Sequence, residues 1–255
     1  MSSNVLSLHG RAALVTGAGV GIGRAIAEVL ADAGAFVGLH CHRSLDGANA
    51  ALTAIRTRGE NGIVLQADLS DAAQAADLVD RFVKAAGRFD ILVNNAGSPI
   101  ERRCIADCSL DLWRQVLDTN LTSAFMVTQR AIPHLQQSGH GAIVNNLSLS
   151  VQTGGANGAG PYAVAKGGLQ VLTRTLAREL APDVRVNAIM PGVIETRHHE
   201  VFTAPERMEQ YRRETPLGRN GTADEVASAV LFLASDSARF VTGALIDING
   251  GRFLR

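Results

Sequence analysis

The chain has 255 residues, of which 46% are hydrophobic, and it carries 24 basic and 24 acidic residues. This length and composition suffice for one sizeable core, and a formal net charge of zero favours neither a nucleic-acid partner nor an acidic tail. The sequence has no run of 18 apolar residues, so we predict no membrane span.

Cysteine and histidine usage bears on the compartment and on metal binding. Cys41, Cys104 and Cys108 form no Cys-x-x-Cys pair, and the first ten residues lack the basic and apolar stretches of a secretory leader. We therefore expect a reduced, cytoplasmic protein without a disulfide framework. The histidines show no ligand spacing, so we expect no metal.

A glycine-rich turn is the first functional motif in the chain. It follows a short apolar stretch at residues 11–16 and precedes an amphipathic helical pattern that ends at Gly34. A strand, a glycine-rich turn and a helix in this order indicate dinucleotide binding. Gly17 would permit the tight turn, Gly21 close approach to a pyrophosphate, and Gly23 close helix–strand packing. The helix N-terminus would offer N–H groups to the phosphates.

The rest of the chain alternates short apolar strands with helices. Further strands are predicted at residues 36–41, 63–67, 91–93, 142–147, 184–189 and 244–248. Further helices are predicted at 45–58, 71–86, 109–117, 123–137 and 223–234, and one more contains Tyr162 and ends at about residue 180. This alternation predicts an α/β fold in one domain, residues 1–255. We expect a doubly wound parallel sheet of seven strands in the order 3-2-1-4-5-6-7. Its ligand crevice would lie beyond the carboxyl ends of the strands.

Tyr162 and Lys166 lie four residues apart in the helix predicted to end at about residue 180, and Pro161 suits the first turn of that helix. This spacing places both side chains on one helix face. An ammonium near a phenol favours the phenolate, so we expect Lys166 to lower the pKa of Tyr162. The pair would then be a proton donor or acceptor usable near neutral pH.

The ordered set of motifs resembles the short-chain dehydrogenase/reductase family, and 3-oxoacyl-carrier-protein reductases within it. The resemblance spans nearly the whole chain and rests on residues 16–23, 94–97, Asn120, Ser148, Tyr162, Lys166, Pro191, Gly192 and 247–251. It implies hydride transfer between a nicotinamide and a carbonyl or alcohol carbon. Enoyl reductases of similar fold space tyrosine and lysine more widely than this chain does.

The resemblance implies a role for each matching residue. Tyr162 would act as the acid or base, Lys166 would support it and hold the nicotinamide ribose, Ser148 would bind the substrate oxygen, and Asn120 would position a relay water. The implied cofactor contacts are Gly17, Gly19, Gly21, Ile22, Gly23, His42, Arg43, Ser44, Asp68, Leu69, Asn94, Ala96, Gly97, Tyr162, Lys166, Pro191, Gly192, Ile194 and Thr196. Alternatively, Asn94 and Asn120 could cap turns, and Asp68 could cap a helix.

Two residue assignments depart from the family pattern. The family places its serine 13 residues before the tyrosine, which is Leu149 here, so Ser148 and Ser150 both stay open, with the strand exit favouring Ser148. At the end of the second strand, Cys41 replaces the acidic residue of NAD users, and Arg43 follows. We predict NADP, with NAD as the alternative, although Val20 occupies a second position that is often basic in NADP users.

The remaining expectations concern substrate and assembly. Residues at about 193–216 are predicted to form a small substrate lid, and their basic excess leaves an anionic substrate open. The expected substrate is a small carbonyl or alcohol compound of unspecified structure. Resemblance to the family's paired helices predicts a homotetramer. The alternative function is a catalytically silent NADP-binding sensor or scaffold.

Overall fold

A seven-stranded parallel sheet runs through the centre of the protein. The computed structural model describes residues 5–196 and 201–254. The strands are β1 Ala12–Val15, β2 Phe36–Cys41, β3 Gly62–Gln66, β4 Ile91–Asn94, β5 Gly141–Asn146, β6 Val184–Pro191 and β7 Leu245–Ile248. Their order is β3-β2-β1-β4-β5-β6-β7 and every pairing is parallel, which confirms the predicted fold class and topology.

Helices cover both faces of the sheet because its strands are apolar on both sides. The helices are α1 Gly21–Asp32, α2 Leu45–Thr57, α3 Ala72–Ala86, α4 Leu110–Leu117, α5 Ser123–Gln137, α6 Ser150–Thr153, α7 Gly160–Glu179, α8 Pro205–Glu214 and α9 Ala223–Ala234. Val15 packs in the cluster with α1, α2 and α9, whereas Leu14 packs in the cluster with α3, α5 and α7. This period-two alternation gives the sheet two buried faces, each covered by helices.

Two elements near the site extend beyond their predicted limits. The predicted helices at 109–117 and 123–137 are joined through a π-helical segment, Asp118–Thr122, rather than separated. Such segments widen the helix locally and are frequent at functional sites. Strand β6 continues to Pro191 instead of ending at Ile189, and the carbonyl of Pro191 accepts a hydrogen bond from Leu149 N–H at 2.9 Å.

The segment after Gly192, for which the sequence pattern predicts no regular element before residue 223, contains helix α8. Pro205 begins this helix, Glu206 lies in its first turn, and Arg212 and Arg213 lie in its last turn, which suits the helix dipole. Residues 197–200, part of the predicted lid, lie outside the described residues. The single domain and the lid at 193–216 stay predictions.

Candidate active site

The carboxyl ends of the strands border a crevice of about 490 Å³. Its lining comes from the turn after β1, the exits of β4, β5 and β6, and the first turns of α7. Fourteen of the predicted site residues line it: Gly17, Gly21, Ile22, Gly23, Ser44, Ala96, Gly97, Ser148, Tyr162, Lys166, Pro191, Gly192, Ile194 and Thr196. Residues separated by more than 170 positions in sequence therefore meet because parallel strands end at one edge.

The glycine-rich turn approaches its neighbours too closely for side chains. Gly17 has φ +66°, and a Cβ on Gly23 would lie 2.2 Å from the carbonyl oxygen of Gly17. Val20, at the N-cap of α1, makes no side-chain cap hydrogen bond. The first N–H groups and the positive end of the helix dipole therefore face the crevice, which fits the phosphates of a dinucleotide.

Several predicted cofactor residues lie beside the crevice rather than in its lining. Gly19 packs on Ser44, since a Cβ on Gly19 would lie 2.2 Å from Ser44 Oγ. Arg43 is exposed, and Leu69 is buried in the apolar cluster under α3 and α5. His42 and Asp68 approach each other at 3.8 Å, and hydrogen bonds from Ser70 hold the pKa of Asp68 below its usual value.

The side chain of Asn94 lies in the interior instead of the crevice. Its amide donates hydrogen bonds of 2.9 Å to Thr128 Oγ1 and to Asn145 Oδ1. Asn94 is the last residue of β4, and its side chain follows the strand alternation toward α5. These bonds tie the end of β4 to α5 and β5, and the predicted contact of Asn94 with a cofactor stays a prediction.

Asn95 lines the crevice in its place and was missed by sequence reasoning. Its amide donates to the carbonyls of Thr16 and Gly17 at 2.9 and 3.1 Å, and its Oδ1 accepts from Asn146 at 2.9 Å. Asn95 thus ties the glycine-rich turn to the exits of β4 and β5. The sequence contained a usable indication, because neighbouring residues at a strand end point to opposite faces.

Tyr162 and Lys166 lie together at the N-terminal end of α7. Lys166 Nζ is 5.8 Å from the centre of the Tyr162 ring and donates a 2.8 Å hydrogen bond to the carbonyl of Asn146. The lysine side chain is only 2% exposed, and burial lowers its pKa to about 8. The ammonium form still predominates at neutral pH.

The expectation that the pKa of Tyr162 is lowered is wrong for this chain. Burial raises it to about 12, and this effect outweighs a hydrogen bond with Ser148 and the charge of Arg102, both of which lower it. Desolvation thus disfavours the phenolate more strongly than the hydrogen bond and the one cation favour it. Tyr162 is therefore a neutral phenol at pH 7.

The two candidate serines have different surroundings. Ser148 hydrogen-bonds with Tyr162 and accepts a 3.1 Å hydrogen bond from the backbone N–H of Ser150. Ser150 Oγ is buried and has no hydrogen-bond partner among the residues that the structure describes. Both residues line the crevice, but of the two only Ser148 forms a hydrogen bond that lowers the pKa of Tyr162.

We expect Ser148→Ala to lower kcat about 100-fold, the scale observed when one hydrogen-bond donor to a developing oxyanion is removed. Ser150→Ala should cost less than about tenfold, because loss of this unpartnered hydroxyl breaks no hydrogen bond. Steady-state kinetics of both variants, with thermal unfolding as a check on folding, measures the difference. Equal small losses in kcat would remove the serine assignment.

Asn120 lies in the π-helical segment and is fully buried. Its amide donates to the carbonyls of Ser98 and Val116 at 2.7 and 2.8 Å, and its Oδ1 accepts from Ser98 N–H at 3.0 Å. A Cβ on Gly97 would lie 2.6 Å from Asn120 Oδ1 and 3.0 Å from Lys166 Nζ. Asn120 and Lys166 therefore flank one glycine, and the predicted water relay stays a prediction.

His40 also supports the glycine-rich turn, although it does not line the crevice. Its Nδ1 accepts a 3.1 Å hydrogen bond from Gly17 N–H, and its Nε2 lies 3.1 Å from the carbonyl of Ala67. The neutral ring with its proton on Nε2 satisfies both contacts. The side chain is 2% exposed, and burial lowers its pKa to about 4.

Across residues 5–196 and 201–254, no group of three or more His, Cys, Asp or Glu side chains could hold a metal ion. Cys104 is exposed, Cys108 is half-buried, and both are free thiols. Over the same ranges, no helix is long and apolar enough to cross a membrane.

Comparison with known families identifies the chain. A family model described as enoyl-(acyl carrier protein) reductase matches residues 17–252, which is most of the sequence. The chain belongs to the short-chain dehydrogenase/reductase family. This short-chain dehydrogenase/reductase is accordingly an oxidoreductase of a family that acts on carbonyl and alcohol carbons with a nicotinamide cofactor, NAD or NADP.

Individual relatives of this short-chain dehydrogenase/reductase span several activities. It is 41% identical to an uncharacterised oxidoreductase of Methylorubrum extorquens over 247 residues, 96% of this chain and 98% of the relative. It is 37% identical to a 3-oxoacyl-[acyl-carrier-protein] reductase of Staphylococcus aureus over 245 residues, again 96% and 98%. A solved 7α-hydroxysteroid dehydrogenase, complexed with NADH and 7-oxo glycochenodeoxycholic acid, has a TM-score of 0.93 at 31% identity, covering 98% and 97%.

Proposed function

We propose that the protein is an NADP(H)-dependent reductase of a ketone or aldehyde, and in reverse a dehydrogenase of the corresponding alcohol. The observation that carries this proposal is the meeting of Ser148, Tyr162 and Lys166 in the crevice that the glycine-rich turn also lines. Tyr162 as proton donor, Ser148 as hydrogen-bond donor and Lys166 as positive charge then surround the place where a carbonyl oxygen would bind.

The protonation states favour reduction at neutral pH. Tyr162 keeps its proton, because its pKa is raised to about 12, and it can give that proton to the oxygen of a bound carbonyl. Ser148 donates a hydrogen bond to the same oxygen and stabilises the charge that develops there. The buried Lys166 ammonium, 5.8 Å from the ring centre, stabilises the phenolate that remains. When bound, the nicotinamide supplies the hydride.

The residues present fit a dinucleotide. The uncapped first turn of α1 would hold the pyrophosphate, Lys166 the nicotinamide ribose, and Thr196 the phosphate or carboxamide. Ser44 and Arg43 would hold the adenosine ribose and its 2′-phosphate. Among the described residues no carboxylate forms an ion pair with Arg43, so its guanidinium is available for a phosphate.

We expect kcat/KM with NADPH to exceed that with NADH about tenfold or more, because a charge-assisted hydrogen bond contributes about 1.5–3 kcal/mol. Arg43→Gln should bring the two cofactors close to parity. Arg58→Gln is the matched control, since Arg58 is also a solvent-exposed arginine and its charge is already paired with Asp32 at 2.6 Å. A wild-type preference for NADH, or an unchanged ratio in Arg43→Gln, would contradict the NADP assignment.

The proposal is tested by following NADPH absorbance with the wild-type protein against a panel of ketones and aldehydes. Turnover supports the reductase. Saturable NADPH binding without turnover across the panel supports the alternative, a silent sensor or scaffold. An enoyl reductase is less compatible with the site, because Tyr162 and Lys166 are one helical turn apart, closer than the spacing associated with enoyl reductases of similar fold.

We further propose that the protein assembles as a homotetramer. Apolar side chains are exposed on α7 at Val164 and Val171, and near the C-terminus at Phe240 and Leu254. A Cβ on Gly167 would meet nothing within 4 Å in the single chain, so this helix face is open to close packing by another subunit.

A further inference from the structure

The lining of the crevice is cationic and contains no carboxylate. Lys166, Arg102, Arg207 and Arg252 line it, and no Asp or Glu is among the lining residues that the structure describes. A crevice with charges of one sign concentrates ligands of the opposite sign. The phosphates of a dinucleotide account for the glycine-rich turn, but the arginines come from other segments.

Two of the three arginines already have partners within the protein. Arg207 lies over the Tyr211 ring at 4.6 Å and donates a 2.5 Å hydrogen bond to Gln210. Arg252 lies over the same ring at 4.5 Å, donates to the carbonyl of Tyr211 at 3.0 Å, and forms an ion pair with Glu214. Arg252 thus fixes the C-terminal segment against α8, whereas Arg207 contacts residues of its own helix.

Arg102 has no comparable partner. Its Nε is buried without a hydrogen bond, as is that of Arg207, but within residues 5–196 and 201–254 the guanidinium of Arg102 has neither a carboxylate partner nor an aromatic ring beneath it. The adjacent Arg103 is exposed and pairs with Glu101 at 2.5 Å. A half-buried guanidinium without an acceptor is energetically costly, and an anionic ligand would satisfy it.

The backbone holds Arg102 on the Tyr162 side of the crevice. Arg103 N–H donates a 3.0 Å hydrogen bond to the carbonyl of Gly158, just before α7. A Cβ on Gly158 would lie 3.0 Å from the backbone carbonyl carbon of Arg102, so the two segments are in close contact. The charge of Arg102 also acts on the Tyr162 phenol. Arg102 therefore faces the part of the crevice where the carbonyl substrate would bind.

We propose that Arg102 is a specificity-determining residue that binds a carboxylate on the substrate, so that the preferred substrates are oxo acids and the corresponding hydroxy acids. This inference rests on the proposed carbonyl reduction and narrows it to a substrate class. A planar guanidinium can bind a carboxylate through two hydrogen bonds, which orients the carbonyl as well as attracting the molecule.

The test compares each acid with its neutral methyl ester. Reduction of 3-oxobutanoate and 4-oxopentanoate, each beside its methyl ester, is measured with NADPH for wild type, Arg102→Gln and Arg103→Gln. We expect wild type to favour the acids about tenfold or more in kcat/KM. Arg102→Gln should lower the acid-to-ester ratio about tenfold, to near one, mainly through KM, as loss of a charge-assisted pair predicts. Arg103→Gln, which makes the same charge change at the adjacent residue, should keep the wild-type ratio.

Equal losses for acid and ester in Arg102→Gln, or a wild-type preference for esters, would overturn the inference. A second measurement separates it from the proposed function: 4-oxopentanoate or its ester is titrated by calorimetry into protein saturated with NADP⁺, a combination that cannot react. Binding of the acid that Arg102→Gln abolishes supports the carboxylate site even if no compound is reduced. Absence of acid binding to wild type overturns the site, whatever the turnover.

Discussion

Tyr162→Phe should lower kcat for carbonyl reduction at least about 1,000-fold while NADPH binding changes little. Positioned proton transfer contributes about 10²–10⁴-fold to a rate, and the lost hydroxyl is both the proton donor and the hydrogen-bond partner of Ser148. The ring itself remains, so the packing beside Lys166 is retained. Single-turnover NADPH oxidation measures the loss, and NADPH fluorescence measures binding.

The chain offers a matched control for this experiment. It contains two tyrosines, and Tyr211 also lines the crevice. Tyr211→Phe keeps the ring that Arg207 and Arg252 contact, so its kcat should fall less than about tenfold. If Tyr162→Phe retained kcat within tenfold of wild type, the proton would have to come from another group, and the proposed chemistry would fail.

Stability should decrease as pH falls from 7 to 5, by about 2 kcal/mol through His40 alone. The pKa of His40 is about 4 in the folded protein and near 6.5 in the unfolded chain. Between these values the unfolded state binds more protons, so the free energy of unfolding declines with decreasing pH. The contribution is fully present above about pH 6.5 and is lost progressively down to about pH 4.

His40→Gln isolates this effect, because a glutamine amide can accept from Gly17 N–H and donate to the carbonyl of Ala67 without titrating. Urea unfolding of wild type and variant at pH 7, 6 and 5 should show a flatter pH dependence for the variant. His140→Gln, a change at an exposed histidine, should leave the slope unchanged. Identical slopes for wild type and His40→Gln would contradict the prediction.

The strands, most helices and most of the crevice could be predicted from the sequence, because hydrophobic periodicity and glycine placement are local. The strand order followed from the doubly wound fold that alternating strands and helices indicate. Helix α8 could not be predicted, since it has few apolar residues. Its exposed face instead carries pairs such as Arg212 and Arg213 with Glu209, at 3.0 and 3.3 Å. Hydrophobic periodicity does not reveal a helix that is stabilised by ion pairs on its exposed face.

The missed site features depend on contacts between distant parts of the chain. His40 contacts Gly17 and Ala67, 23 and 27 residues away, and nothing in its neighbourhood in sequence indicates either contact. The Tyr162–Lys166 pair was visible from helical spacing, but the sign of the tyrosine pKa shift was not. Desolvation depends on everything packed around the phenol, which only the tertiary structure defines.

Helix α7, which carries Tyr162, is hydrogen-bonded to strand β5 at two points along its length. Lys166 Nζ binds the carbonyl of Asn146, and Thr173 accepts a 2.9 Å hydrogen bond from Asn145, which in turn accepts from Asn94. The segment bearing Arg102 is outside this buried lattice. The loop that bears Arg102 can therefore be exchanged, in evolution or by design, to change substrate selectivity. Tyr162 and Lys166 keep their positions because α7 is held independently of that loop.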